Sequence, residues 1–153
     1  MNDKDGLSLF LVDTKSEGIS IERTIMMDTR NAANITFNNV KVNANNLLGE
    51  EGKASAAIEK TLDIARIGLS AEMLGSMLEA FERTMTYLKE RQQFGVTIGS
   101  FQALQHRAAE MYSEIEICKT LVLQSLQAID ADDKELPILA LSLIHISEPT
   151  RPY

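Results

Sequence analysis

The chain is poor in cysteine, in basic residues and in long hydrophobic runs, and each shortage excludes a class of protein. Cys118 is the single cysteine among 153 residues, which excludes a disulfide framework and a thiolate metal site. The formal net charge of −7 argues against nucleic acid as a primary partner, because phosphate neutralisation requires a basic surface. No apolar run approaches the roughly 18 residues of a membrane span, and the polar start MNDKDG lacks signal-peptide character. We therefore predict a cytoplasmic protein without a membrane span.

The remaining composition is typical of a globular protein, with 44% hydrophobic and 24% charged residues. A chain of 153 residues could bury one ordinary core or form two small lobes. Cys118 lies in an apolar helical pattern, which favours a buried, inert thiol over a reactive one. Composition alone does not indicate a function.

The first third of the chain has the pattern of β-strands. Residues 7–13 are short and apolar, residues 18–24 alternate with Ile19 and Ile21 on one face, and residues 34–42 follow a polar turn. A few strands without a partner sheet are not stable alone. This segment is therefore predicted to be the end of a larger β structure.

Two long helices are predicted next, over about residues 54–90 and 101–129, because apolar residues recur there every three or four positions. In the first helix these are Ile58, Leu62, Ala65, Leu69, Met73, Met77, Phe81, Met85 and Leu88. In the second they are Phe101, Leu104, Ala108, Met111, Ile115, Cys118, Val122, Leu126 and Ile129. The spacing favours near-antiparallel packing in a bundle, with Ser100 as N-cap of the second helix and a third helix starting near Leu136. Strands followed by helices, without alternation, indicate an α+β protein.

The first helix has two further features. Additional apolar residues widen its stripe, so it is predicted to bury more than one face: Ile64, Ile67, Leu74 and Leu78. Gly68 and Gly75 each cost about 1 kcal/mol relative to alanine in a helix interior. We expect close approach by another helix or a ligand at these glycines.

Residues 141–153, LSLIHISEPTRPY, are not expected to continue the third helix. From Leu141 to Arg151 the string resembles the translation of a transposase adapter used in sequencing libraries. The alternative is a genuine short apolar tail. If the string is an adapter, His145 has no function and the natural protein continues differently beyond about Ala140. Few contacts with the two long helices are then expected.

The stretch ERQQFGVTIGSFQALQH, residues 90–106, separates the two long helices and resembles neither. A core helix would not tolerate Gly95 and Gly99, and a solvent turn needs no arginine or phenylalanine. In a purely structural interpretation, Arg91 complements the dipole at the end of the first helix and the glutamines face solvent. In a ligand-binding interpretation, its guanidinium offers two parallel donors to phosphate oxygens and never deprotonates.

This order of elements resembles the acyl-CoA dehydrogenase family from about Leu7 to Ala140. The resembling stretches are GISIERTIMMDTRNAANITFNNVKV, NNLLGEEG, LDIARIG and, most specifically, ERQQFGVTIGSFQALQHRAAEM. The resemblance implies an α+β fold in which the end of an antiparallel β domain precedes a truncated antiparallel helical bundle. Residues 1–52 would end the middle β domain, residues 53–140 would begin the C-terminal helical domain, and residues 141–153 would be a non-native tail.

In this family the turn between the two helices contacts FAD held mainly by a neighbouring subunit. The resemblance implies that Arg91 pairs with the flavin pyrophosphate, that Gln93 and Gln102 supply amide hydrogen bonds, and that Phe94 packs against the cofactor. Gly95 would let the first helix end in a left-handed turn close to the ligand.

LDIAR is the second implied site, because the family places this segment against the acyl-CoA. Asp63 and Arg66 lie one helical turn apart and are the implied substrate-binding residues; the alternative is an exposed ion pair. In some branches a catalytic glutamate immediately precedes the arginine, but Ala65 stands there and cannot take a proton. No catalytic residue is therefore assigned in this chain, and the base is expected in the missing C-terminal part.

The implied parent is an FAD-dependent enzyme that oxidises an acyl-CoA thioester to the 2,3-enoyl-CoA. A carboxylate would remove the α-proton, and the β-hydrogen would leave as hydride to the flavin. Electrons would pass to an electron-transfer flavoprotein, and the parent would be a homo- or hetero-oligomer. The alternative is a non-catalytic partner subunit of a heteromeric acyl-CoA dehydrogenase complex. The fragment itself is expected to be inactive.

Overall fold

A computed structural model describes residues 6–28 and 30–147, with only the backbone described for residues 144–147. The chain divides after Ile58 into two compact units. The elements in chain order are β1 (Leu9–Phe10), β2 (Ile19–Thr24), β3 (Ala32–Phe37), β4 (Leu47–Leu48), α1 (Ser55–Glu90), β5 (Gln92–Gln93), β6 (Val96–Thr97), α2 (Gln102–Asp130) and α3 (Leu136–Ser147). Short 3-10 turns cover Ala44–Asn46 and Ile98–Ser100. Antiparallel strands followed by helices confirm the α+β prediction.

The first unit is built from two small antiparallel ladders. β2 pairs with β3, placing Ile19 opposite Phe37 and Ile21 opposite Ile35, while β1 pairs with β4. Less of residues 7–48 is strand than predicted, because Asn39 takes a φ of 52° and turns the chain before the predicted third strand is complete. The strands of this region are confirmed, and the predicted lengths of the first and third are wrong.

The apolar face of the β2–β3 ladder is open within the first unit. Ile21 is 48% exposed, Ile35 49% and Phe37 61%. Aliphatic and aromatic side chains in cross-strand pairs normally lie against a second layer of structure. The ladder therefore has the pattern of one side of a larger β structure, in line with the sequence prediction.

The two long helices α1 and α2 confirm the predicted helices and run antiparallel. Lys60, near the start of α1, forms an ion pair with Asp132, just beyond the end of α2, with 2.6 Å between Nζ and Oδ1. Further along α1, the ring of Phe81 lies against that of Tyr112 in the first half of α2, with centroids 6.0 Å apart. The start of α1 therefore lies beside the end of α2, and the second half of α1 lies beside the first half of α2, which is the predicted antiparallel packing.

The core of the second unit lies where the three helices meet. Its buried members come from all of them: Ile67, Leu74, Ile115, Cys118, Val122, Ala128, Leu136, Ala140 and Leu143. Cys118 is 2% exposed, and desolvation, followed by the nearby charge of Glu114, raises the pKa of its thiol. The predicted burial of this cysteine is confirmed.

The first half of α1 leaves its main predicted stripe exposed and buries the additional predicted residues Ile67 and Leu74. Leu62 and Leu69, predicted to face the core, are 43% and 48% exposed. The buried face instead contains Asp63, Ile67, Ser70 and Leu74. Apolar residues surround much of this helix, so periodicity alone does not determine which side meets α2 and α3. In the second half, Met77 and Phe81 pack against the core as predicted.

The seam of α2 is confirmed in its middle and wrong towards both ends, since Phe101, Leu104 and Met111 are 36–39% exposed. Ile115, Cys118 and Val122 are buried, whereas Leu126 is 40% exposed. Ser125 and Ala128 are buried instead. Their small side chains fit where α3 crosses close to α2, and the Ser125 hydroxyl donates to Leu121 O at 2.8 Å, which satisfies it. Leu126, the residue after Ser125, faces solvent.

Helix α3 extends to Ser147, so the prediction that residues 141–153 do not continue the helix is wrong. Leu143 is fully buried in the core, following Leu136 and Ala140 at helical spacing. The prediction of few contacts is therefore also wrong at Leu143. The side chains of residues 144–147 and all of residues 148–153 lie outside the described part, and the adapter origin of the string stays a prediction.

The glycines inside α1 do not mark a close contact within the described residues. A Cβ added at Gly68 or Gly75 would meet nothing within 4 Å. No residue among 6–28 or 30–147 therefore makes the expected close approach to these glycines, and approach by a ligand stays a prediction. Over those same residues, no helix combines the length and apolar character needed to cross a membrane.

The Lys60–Asp132 pair provides a test of how the helix ends are held together. The hydrogen bond and the charge of Lys60 lower the pKa of Asp132 in the folded chain. A lowered folded pKa means that the pair contributes stability above the unfolded aspartate pKa of about 3.9, and that this contribution is lost as the pH falls through the folded pKa. Asp132→Asn should therefore be less stable than wild type at pH 7 and match it under acid conditions.

The measurement is the free energy of unfolding in urea across this pH range. Asparagine tolerates the φ of 50° at position 132, so the substitution removes the charge without adding backbone strain. The control variant is Asp130→Asn, at the end of α2. Asp133→Asn is unsuitable, because the Asp133 carboxylate accepts a hydrogen bond from the Glu135 backbone amide. A stability difference that persists unchanged at pH 3 would contradict the proposed role of the ion pair.

Candidate functional site

The stretch between α1 and α2 forms a small β-hairpin. β5 pairs antiparallel with β6, with Gln92 opposite Thr97 and Gln93 opposite Val96. The Ile98 amide donates to Arg91 O at 2.8 Å and closes the base of the hairpin. The segment that sequence analysis singled out is thus a defined projection between the two helices.

The tip of the hairpin is a two-residue turn in which both φ angles are positive, 56° at Phe94 and 81° at Gly95. Positive φ at both central positions is the signature of a type I′ turn, which matches the twist of short hairpins. The predicted left-handed conformation of Gly95 is confirmed, but its predicted place at the end of the helix is wrong. Helix α1 ends at Glu90, before the hairpin begins.

Phe94 is an unusual residue for this turn. Bulky residues rarely adopt positive φ, whereas asparagine, aspartate and glycine dominate such positions. Its side chain is 91% exposed and contacts Phe101 edge-on, with ring centroids 6.2 Å apart. Neither burial nor turn preference explains a phenylalanine here, and a non-preferred conformation at an exposed aromatic residue points to ligand contact.

The start of α2 lacks the cap that was predicted. The Ser100 hydroxyl donates to Thr97 O at 2.7 Å within the 3-10 turn, so Ser100 is not the N-cap. Phe101 occupies the cap position and makes no side-chain cap hydrogen bond. The first amides of α2 therefore remain available, and an uncapped helix N-terminus favours a negatively charged group.

The predicted cofactor residues lie around this hairpin, where Arg91, Gln93, Phe94 and Gln102 are all exposed. Within the described residues the Arg91 guanidinium forms no ion pair. The side-chain amide of Gln93 donates a hydrogen bond to the backbone O of the neighbouring Gln92, at 2.8 Å. A free guanidinium, an uncapped helix start and an exposed aromatic ring fit a ligand that carries phosphate and a flat ring system.

The second predicted pair, Asp63 and Arg66, is joined by a contact of 2.6 Å between Oδ1 and Nη1. The Asp63 side chain is 8% exposed and that of Arg66 is 33% exposed. The ion pair between these two residues is therefore present, but it is partly buried and not exposed as the structural alternative predicted. Arg66 keeps part of its guanidinium accessible to a ligand, while the Asp63 carboxylate is largely covered.

The structure does not bring the two predicted sites together within one chain. Arg66 and Glu90 belong to the same continuous helix, α1. At a rise of about 1.5 Å per residue, roughly 35 Å of helix separates Arg66 from the hairpin. A site using both groups of residues would need two copies of the chain or another subunit.

No catalytic acid or base is assembled in the described part of the chain. Ala65, next to Arg66, is exposed and has no ionisable group. No cluster of histidine, cysteine, aspartate or glutamate suitable for a metal ion occurs among residues 6–28 and 30–147. The one carboxylate at either predicted site in the described residues is Asp63, which is ion-paired with Arg66 and largely covered.

The sequence did not predict the contacts made by two residues near the hairpin, Gly99 and Gln105. Gln105 in the first turns of α2 donates from Nε2 to Gly99 O at 3.0 Å. A Cβ added at Gly99 would lie 2.8 Å from Leu88 O at the end of α1. The repeated glutamine spacing in FQALQ was visible, but a contact across the 3-10 turn requires the turn geometry, which the pattern does not provide.

Comparison with known proteins gives one consistent family. The model for the acyl-CoA dehydrogenase C-terminal domain matches residues 55–146. Short/branched chain specific acyl-CoA dehydrogenase from Bos taurus is 33% identical over 146 residues, covering 94% of this chain and 34% of that protein. Caffeyl-CoA reductase-Etf complex subunit CarC from Acetobacterium woodii is also 33% identical, over 94% of this chain and 38% of that protein. The chain spans about a third of the length of these curated relatives.

Solved structures agree with this result. Butyryl-CoA dehydrogenase from Megasphaera elsdenii superposes with a TM-score of 0.84 at 29% identity, over 94% of this chain and 38% of that chain. A chain from a structure described as the electron transferring flavoprotein of Acidaminococcus fermentans gives a TM-score of 0.82 at 31% identity, covering 92% and 37% of the two chains. Strands and helices of both units are therefore included in the likeness.

The conformation of Phe94 yields a test in the chain itself. Replacing Phe94 by asparagine, which is preferred in a type I′ turn, should relieve backbone strain and raise the free energy of unfolding by about 0.5–1 kcal/mol. Gly95→Ala should have the opposite effect, because alanine disfavours a φ of 81°. Urea unfolding of both variants measures the difference. A destabilised Phe94→Asn would mean that the edge contact with Phe101 outweighs the strain.

Proposed function

Because the chain belongs to the acyl-CoA dehydrogenase family, we propose that the complete protein is an FAD-dependent enzyme that oxidises an acyl-CoA thioester to the 2,3-enoyl-CoA. The observation that carries this proposal is the β-hairpin between α1 and α2. It presents an unpaired guanidinium, an exposed aromatic ring and an uncapped helix start in one place. These groups suit the pyrophosphate and ring system of FAD.

Each hairpin residue has a distinct part in holding FAD. Arg91 would pair with the pyrophosphate, since a guanidinium forms two parallel charge-assisted hydrogen bonds to phosphate oxygens. Gln93 and Gln102 would supply amide hydrogen bonds, and Phe94 would pack its exposed ring on the cofactor. When bound, FAD would accept hydride from the β-carbon of the acyl group. The hairpin residues bind and orient and take no part in proton transfer.

The Asp63–Arg66 pair is proposed to lie against the acyl-CoA. Arg66, with its accessible guanidinium, is the member suited to contact the substrate, and Asp63 holds it at 2.6 Å. Ala65 leaves the position before Arg66 without a carboxylate, so the catalytic base of the complete protein would come from another part of it. A glutamate in the C-terminal domain does this work in some branches of the family.

The separation of the two sites along α1 supports an oligomer. A hairpin roughly 35 Å from Arg66 would serve the FAD of a neighbouring subunit. Electron-transfer flavoprotein is the proposed electron acceptor, and this rests on a relative named as a subunit of an Etf complex. That relative is also named a reductase, so activity should be assayed in both directions.

A second candidate is a non-catalytic partner subunit in a heteromeric complex. The observation that favours it is Ala65, because neither predicted site in the described chain contains a carboxylate placed to remove a proton. The complete reading frame decides between the candidates. A glutamate or aspartate at the late base position, with turnover abolished by its amide variant, supports the enzyme, and its absence supports the partner.

Arg91 and Arg66 should have separable effects in the complete protein. A hydrogen bond to a charged group contributes about 1.5–3 kcal/mol, so Arg91→Ala should weaken FAD binding by roughly ten- to a hundred-fold. Arg91→Lys should recover part of the affinity, because an ammonium lacks the planar two-donor fork. Arg66→Ala should retain FAD and lower kcat/KM for acyl-CoA.

Flavin content after dilution and steady-state kinetics on the purified variants measure these effects. Arg83→Ala is the matched control, because Arg83 lies on α1 in an exposed ion pair with Glu79 and belongs to neither site. The assignments are wrong if Arg91→Ala keeps full flavin occupancy while Arg66→Ala loses it.

The isolated 153-residue chain should neither retain FAD nor turn over acyl-CoA. It contains the hairpin contacts but, in our proposal, the main FAD-binding surface belongs to other parts of the complete protein. Its open apolar faces should also promote self-association, visible in sedimentation at micromolar concentration. Flavin absorbance that co-purifies in stoichiometric amount with this chain would contradict the expectation.

A further inference from the structure

The 3-10 turn that joins the hairpin to α2 makes one very close contact with α1. A Cβ built on Gly99 would lie 2.8 Å from the carbonyl oxygen of Leu88 and 3.2 Å from its carbon. Both atoms are helix backbone, so a side chain at this position could not be accommodated by a rotamer change. The absence of a side chain at Gly99 therefore sets how closely the turn approaches the last part of α1.

The same glycine is held from the other helix. Nε2 of Gln105 in α2 donates to Gly99 O at 3.0 Å. The other side-chain hydrogen bonds of this segment are local, from Ser100 to Thr97 O and from Gln93 to Gln92 O. Gly99 is thus fixed by backbone contact with α1 and by a side-chain hydrogen bond from α2. We name this arrangement, formed by Leu88, Gly99 and Gln105, the Gly99 clasp.

An open pocket of about 350 Å³ borders the turn, lined by Met85 and Leu88 on α1, by Gln105 and Ala108 on α2 and by Gly99 itself. The pocket is open to solvent on one side, so it is a surface depression between the two helix ends. Gly99 and Gln105 both line it, and their hydrogen bond joins the turn to α2 at this point.

We propose that Gly99 and Gln105 are positioning residues that set the orientation of the hairpin carrying Arg91, Gln93 and Phe94. The role of the hairpin as an FAD contact rests on the proposed function, whereas the clasp itself rests on the contacts at Gly99. Neither residue needs to touch the cofactor. They act by holding the backbone from which the binding side chains project.

The first test measures amide hydrogen exchange in the full 153-residue chain. Ile98 and Phe101 are the reporters, because the Ile98 amide donates to Arg91 O and the Phe101 amide donates to Ile98 O. Gln105→Glu keeps the shape of the side chain and removes the donor. Exchange at both amides should become roughly two- to ten-fold faster, the loss expected for one exposed hydrogen bond. Gln105→Lys restores a donor and should recover much of the protection.

Glycine variants provide the matched comparison. Gly99→Ala places a methyl group against Leu88 O and should accelerate the same two amides. Gly75→Ala, in the middle of α1 with nothing within 4 Å of the added carbon, should leave them unchanged. Global unfolding of a Gly99 variant would be recognised from exchange in the core of α2, and the Gln105 series would then carry the test.

The second test compares FAD affinity in the complete protein. Gln105→Glu should lower it by about five-fold and Gln105→Lys should restore it, while Arg91→Ala should lower it without changing exchange at Ile98. Unchanged exchange in both Gln105→Glu and Gly99→Ala would overturn the clasp. Faster exchange with unaltered affinity would overturn its positioning role. If the wild-type complete protein binds no FAD, the proposed function fails, and the exchange measurements alone decide the clasp.

Discussion

The antiparallel packing of α1 on α2 is the constraint on which the rest of the second unit depends. It places the end of α1 beside the start of α2 and so leaves a connection short enough to form a tight hairpin. It also places Ile67 and Leu74 of α1 in one core cluster with Cys118 and Val122 of α2, which α3 completes. Burial of such aliphatic side chains contributes about 1.5–3 kcal/mol each, more than any exposed ion pair in this unit. The hairpin conformation is a consequence of this packing.

The length of α1 separates the Asp63–Arg66 ion pair from the exposed side chains of the hairpin. Near its start lies a partly buried pair of opposite charges, and beyond its end lies a cluster of exposed polar and aromatic side chains. A continuous helix keeps these groups apart, so in the proposed function one chain would contribute to two different sites in an assembly. Assembly and ligand binding would then be coupled, because the binding site of one subunit would be completed by the hairpin of another.

The bounds of both long helices could be predicted because apolar periodicity extends over many turns, where it is most informative. The buried face of α1 could not, since Leu62 and Leu69 are as apolar as Ile67 and Leu74, and tertiary contact selects between them. The residues of the proposed cofactor site were predicted through a family motif and lie around the hairpin. The sequence did not indicate the positive φ of Phe94 or the hydrogen bond from Gln105 to Gly99, because both depend on turn geometry.

The burial of Leu143 also has a consequence for how the last helix of the bundle is specified. The core accepts Leu136, Ala140 and Leu143 because they occupy one face of a helix with suitable volumes. Helical spacing and side-chain volume are the properties of these residues that the core uses. Other apolar residues of similar volume at the same spacing should therefore complete the bundle equally well. The hairpin is less permissive, because its turn requires positive φ at two successive residues and Gly99 leaves no room for a side chain against the backbone of α1.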